Sequence, residues 1–133
     1  MSNEATHTGK CLCGGVTFSV DGEVADVLHC HCENCRRLTG NFIAAARARS
    51  DEVRIEDEST LRWYDIEYAK YGFCSTCGST LFFVPADRPE QTSITAGTLD
   101  DVSELALGSV WFASDAQHHN HLPPGVPHLD GNG

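Results

Sequence analysis

The sequence predicts a mainly β domain with short helical turns. Three observations carry that prediction. Short apolar stretches, several alternating with polar residues, recur along the 133 residues; glycine, proline and acidic residues punctuate them; and helix signals appear in only two brief segments. With 41% apolar and only 21% charged residues, the chain is globular rather than disordered. Its length suits one domain, residues 1–133, with a core over about 9–114 and a loop-rich C-terminal tail.

The elements follow in chain order. Residues 15–20 (GVTFSV) set Val16, Phe18 and Val20 on one face of a strand. Residues 24–32 (VADVLHCHC) read as a second strand. The segment 33–39 (ENCRRLT) reads as one short helix stopped by Gly40. Residues 42–50 (FIAAARARS) begin apolar and then alternate Ala with Arg. Further strands are expected at 52–56, 61–65, 69–74, 79–84, 92–97 and 109–114. A second short helix is expected at 99–105 (LDDVSEL), with Asp100 or Asp101 near its N-cap. Prolines and glycines make the tail from Gln117 loop-like.

Charge narrows the partners. Nine Lys and Arg oppose nineteen Asp and Glu, a formal net charge of −10. A nucleic-acid binder needs a basic patch to meet phosphates, and an anionic membrane surface makes the same demand. Neither is expected as a partner. No apolar run approaches a membrane span, and the N-terminal MSNEATHTGK has no apolar signal region, so a cytoplasmic location is expected.

Seven cysteines are many for a reducing compartment, and an odd number cannot all pair. They fall into three clusters: Cys11/Cys13, Cys30/Cys32/Cys35 and Cys74/Cys77. On an extended strand a C-x-C pair points both thiols the same way, and FCSTCGS, with Gly78 after the second cysteine, reads as a zinc knuckle. The most economical division joins Cys11, Cys13, Cys74 and Cys77 around a closed structural Zn2+. Cys30, Cys32 and Cys35 then hold a second Zn2+ with an open fourth position, the form of a catalytic site. A rival division pairs Cys32/Cys35 with Cys74/Cys77 in a zinc ribbon.

The pattern GKCLCGGVTFSV, LHCHCENCRRLTG, YGFCSTCGSTLFF and AGTLDD resembles the GFA family, the glutathione-dependent formaldehyde-activating enzymes that include centromere protein V-like domains. The resemblance covers roughly residues 9–114. It implies the Mss4-like (β-tent) fold, zinc-stabilised and mainly β, and it implies the same four-plus-three assignment of the cysteines. It further implies a carbon–sulfur lyase acting on thiol–aldehyde adducts, as in the formation of S-(hydroxymethyl)glutathione. The expected partners are a small-molecule thiol such as glutathione and an aldehyde. A non-catalytic zinc-stabilised binding or chaperone module of the same fold is the alternative, and a redox-sensing thiol set a third reading. After AGTLDD the chain departs from the family pattern with LALGSVWF, and near the tail with QHHNH.

Four further residues are candidates at the open site. Arg36 or Arg37 could bind a substrate carboxylate, against the simpler reading that they offset thiolate charge or pair with Glu33. His31, like His29, alternates with ligands and faces away from the metal on a strand; it would serve as acid or base only where the strand bends. Glu33 could shuttle a proton. His118, His119 and His121 read as a solvated loop.

Overall fold

The computed structural model describes residues 6–132. Ten strands and one α-helix follow in the order β1 (His7–Lys10), β2 (Thr17–Val20), β3 (Val27–Cys30), α1 (Glu33–Thr39), β4 (Ile43–Arg49), β5 (Val53–Asp57), β6 (Leu61–Asp65), β7 (Ala69–Cys74), β8 (Thr80–Pro85), β9 (Gln91–Thr95) and β10 (Leu107–Trp111). They form a three-stranded sheet, β1-β2-β5, and a seven-stranded sheet, β10-β3-β4-β9-β8-β7-β6. Pairing is antiparallel except between β10 and β3, which run parallel.

The main core lies where β2 meets the larger sheet. Val16, Phe18 and Val20 are buried against Ala46, Ala48, Leu81, Phe82 and Ile94. The rings of Phe18 and Phe82 meet edge to face, 5.1 Å apart at 72°. The predicted alternation of β2 is thus spent on this contact, the largest favourable term available to a domain of this size.

β4 explains the run of alanines. Ala46 and Ala48 enter the main core, whereas Ile43 and Ala45 join a second cluster with Leu28, Cys30, Cys35 and Trp111. Both faces of the strand are covered, and small side chains let the layers approach. The Arg47 guanidinium lies 5.1 Å from the Trp111 ring, a cation–π contact, and its buried Nε has no hydrogen-bond partner among the described residues.

The helix over 33–39 forms as expected. Gly40 ends it at φ 90°, and its N–H donates to the Arg36 carbonyl at 2.8 Å. The helix expected at 99–105 does not form. Asp100 accepts from the Thr8 hydroxyl at 2.7 Å, and Asp101 accepts from the Ser103 N–H at 2.9 Å. Carboxylates spent on local turns leave the backbone no reason to coil. Leu99 instead bridges to Gly9 of β1, a strand whose HTGK sequence carries no apolar alternation.

The tail folds back on the sheet. Val110 N–H donates to the Pro127 carbonyl at 2.9 Å, Leu129 N–H to Val110 at 2.8 Å, and Phe112 N–H to Gly131 at 3.1 Å. Leu129 packs against the cluster that contains Cys30 and Cys35.

Candidate metal centres and an adjoining cavity

The fold gathers the seven cysteines into two groups. Ligand atoms of Cys11, Cys13, Cys74 and Cys77 all lie within 4.8 Å of one another, as do those of Cys30, Cys32 and Cys35. Cys32 and Cys35 do not approach Cys74 and Cys77, so the ribbon division is not the one the fold makes. All seven are free thiols.

The four-sulfur group joins the turn after β1 to the turn between β7 and β8, and so ties the small sheet to the large one. Cys11 Sγ stands 3.7 Å from Cys13 Sγ, which stands 3.6 Å from Cys74 Sγ. Sulfurs at about 2.3 Å from a tetrahedral zinc would be about 3.8 Å apart, so the spacing fits that ion. Backbone N–H groups also aim at sulfur, from Val16 to Cys11 at 3.3 Å, Gly15 to Cys13 at 3.4 Å and Cys77 to Cys74 at 3.5 Å. Such donors favour thiolates, the form a metal binds. The Ser79 hydroxyl, 3.2 Å from Cys77 Sγ, is the main influence holding that thiol down at about 5. Gly78 closes the knuckle at φ 81°, a region that side chains resist, and its N–H donates to the Cys74 carbonyl at 2.8 Å.

The three-sulfur group sits where β3 hands over to α1. Cys30 is the last residue of β3, Cys32 is the N-cap of α1, and Cys35 lies in the helix's first turn. The Cys35 N–H donates to Cys32 Sγ at 3.4 Å, so a prospective ligand also caps the helix. Both C-x-C pairs therefore converge at strand ends rather than within strands. Hydrogen bonds from Cys30 and Cys35 drive the Cys32 thiol far below its ordinary range. Conversely, the Cys32 sulfur is the main cause that pushes Cys30 up to about 12. Three sulfurs this close repel one another as thiolates, so binding a cation releases protons from the group. Among the described residues no fourth His, Cys, Asp or Glu completes this group.

What adjoins the triplet is a cavity of about 600 Å³, and Cys30, Cys32 and Cys35 all line it. That volume is ordinary for a small-molecule site. One residue beside the triplet is not singled out by sequence alone. Tyr71 of β7 is buried with its hydroxyl 4.0 Å from Cys35 Sγ, and its ring lies 4.9 Å from that of Phe83. Burial and then the Cys35 sulfur raise its ionisation well above the usual phenol range, so it remains a proton donor. At the opposite lip Asn34 donates to the Tyr68 hydroxyl at 2.6 Å, linking α1 to the turn between β6 and β7. Phe112, held at φ 52° and ψ 45°, turns the chain out of β10 and contributes to the wall.

The four other candidates are dispersed. Glu33 lines the cavity, exposed, with Arg37 Nε donating to it at 2.8 Å; that contact lowers its ionisation. Neither Arg36 nor Arg37 lines the cavity, and Arg37 is spent on Glu33. His31 is buried with its ring 4.9 Å from Phe42, off the cavity wall, and burial lowers its ionisation. The His29 ring lies 4.4 Å from the same ring, tilted at 36°.

The pattern that defines the glutathione-dependent formaldehyde-activating enzymes matches residues 6–114. The chain belongs to that family. A lyase of Schizosaccharomyces pombe, itself uncharacterized, is 31% identical over 102 residues, covering 76% of this chain and 74% of the yeast protein. A crystal structure of a Rhodobacter sphaeroides protein superposes with a TM-score of 0.62 at 27% identity, covering 91% of this chain and 98% of that one. Both cysteine groups lie inside the span that the family pattern matches. None of the helices is long and apolar enough to cross a membrane among the described residues.

Proposed function

We propose that this GFA-type protein is a zinc enzyme that makes and breaks the carbon–sulfur bond of a thiol–aldehyde adduct. Formation of S-(hydroxymethyl)glutathione from glutathione and formaldehyde is the family's named reaction. We place it in the cytoplasm, where seven unpaired cysteines stay reduced. One observation carries the reading: a three-sulfur group, with no fourth protein ligand among the described residues, opens into a cavity of about 600 Å³.

A zinc ion held by Cys30, Cys32 and Cys35 would supply the Lewis acidity that converts an incoming thiol to its thiolate. The chain's own residues do the rest. In the forward direction the thiol sulfur donates the pair that forms the S–C bond, the carbonyl π pair moves to oxygen, and that oxygen gains the proton the thiol gives up. No electrons are gained or lost overall. Tyr71, held protonated, is the donor that steadies the oxygen as it becomes charged. Glu33, held as a carboxylate at the rim, accepts the thiol proton. The aromatic wall holds both reactants together, and proximity supplies most of the rate for partners that already combine unaided.

The test is Cys32→Ser. It should lower zinc from two ions per chain to one and reduce turnover more than about 100-fold, while the far-ultraviolet spectrum is unchanged. Turnover that survives with one zinc missing would remove the reaction from this site. A wild-type chain that holds both ions and turns over no thiol–aldehyde pair would be a binding module instead.

A further inference from the structure

The cavity constrains which thiol it takes. Its wall is built from Ile43, Tyr68, Tyr71, Phe83, Trp111 and Phe112. Size does not discriminate, since about 600 Å³ admits a tripeptide or an aryl thiol alike. Charge does. The lining carries the carboxylates of Glu33, Asp87 and Asp115 and, among the described residues, one cationic side chain, Arg88. Arg37 offsets Glu33 at 2.8 Å. That leaves two carboxylates against one guanidinium, beside a sulfur group that remains anionic even with a divalent ion bound. Glutathione brings two carboxylates and one ammonium. Recognition of such a molecule calls for paired cations or bidentate forks, and the two arginines next to the cysteines stand off the wall.

We propose that the thiol handled at this site is one with an apolar, uncharged body, aryl or alkyl, in preference to a carboxylate-bearing peptide thiol. This rests on the thiol–aldehyde reading above and narrows it. The adduct is the same: sulfur bonds to the aldehyde carbon, and the proton released by the thiol ends on the former carbonyl oxygen. The aromatic wall holds the body of the thiol, and the acidic rim rejects a negative one.

The experiment uses the full chain loaded with zinc and a matched pair of probes, phenylmethanethiol and 4-(mercaptomethyl)benzoate, with glutathione alongside. Formaldehyde is the common aldehyde, and each rate is corrected for the spontaneous reaction. Binding of each thiol is measured separately by calorimetry without aldehyde. The uncharged thiol should exceed both others at least about tenfold in kcat/KM and in affinity. Raising the salt should narrow the gap between the matched pair, because rim charges are screened over about 8 Å at physiological ionic strength. Asp87→Asn with Asp115→Asn should narrow it too, without altering zinc content. Glutathione bound and turned over as well as, or better than, phenylmethanethiol would overturn the proposal and leave the thiol–aldehyde reading standing. Tight binding of phenylmethanethiol over glutathione with no turnover of either would uphold the selectivity and discard the reaction. No binding of any of the three thiols would discard both.

Discussion

At the scale of the residue, Tyr71 is the informative side chain. Its ring is fixed by Phe83 and its hydroxyl faces Cys35, so packing and chemistry separate cleanly. Tyr71→Phe keeps the ring and removes the donor. Steady-state kinetics should show kcat reduced about 10- to 100-fold with KM nearly unchanged, as for the loss of one hydrogen bond to a developing charge. A rise in KM alone would reassign Tyr71 to substrate packing. The cysteines themselves were legible from spacing, because ligand chemistry leaves so few uses for seven thiols. Tyr71 was not, because an aromatic residue within a strand looks the same whether it faces a core or a cavity. The reach of Arg36 and Arg37 was likewise invisible, since it depends on which side of α1 the cavity opens.

At the scale of the element, sequence and structure agree where local chemistry decides. LRWYD and AKYGFC give β6 and β7, and ENCRRLT gives α1, residue for residue. They part where a long-range partner decides. β1 exists because β2 and Leu99 lie beside it, not because HTGK favours a strand. Residues 99–105 remain uncoiled because Thr8 and Ser103 claim the two aspartates. The knuckle after β7 is a local device that can be tested. A Cβ at Gly78 would meet open space, so Gly78→Ala isolates the cost of φ 81° itself. Urea unfolding of the zinc-loaded protein should show about 1 kcal/mol lost. No change would mean that the turn relaxes to another shape without disturbing Cys74 and Cys77.

At the scale of the molecule, the four-sulfur group is the tie between two sheets that otherwise share only a modest core. Chelation should lower the thermal midpoint by more than about 10 °C, and returning zinc should restore it. The effect depends on pH with a definite sign. Cys30, pushed up to about 12 chiefly by Cys32, must lose its proton to bind, whereas Cys77, held down at about 5 chiefly by Ser79, has lost its own at neutrality. Protons and metal compete for the same sulfurs, so zinc affinity at both groups should fall as pH falls. The three-sulfur group should empty first, since it has fewer ligands to hold the ion. Zinc retained per chain after dialysis between pH 8 and pH 5 measures this directly, and equal loss from both groups would contradict it.

The returning tail has a consequence for the cavity. The family pattern ends at residue 114, yet Asn132 stands on the cavity wall and Leu129 packs against the cluster that holds Cys30 and Cys35. The cysteine triplet therefore lies inside the family pattern, and part of the adjoining cavity wall lies beyond it. Substitutions in the returning tail should therefore reshape the cavity while leaving the cysteine triplet in place.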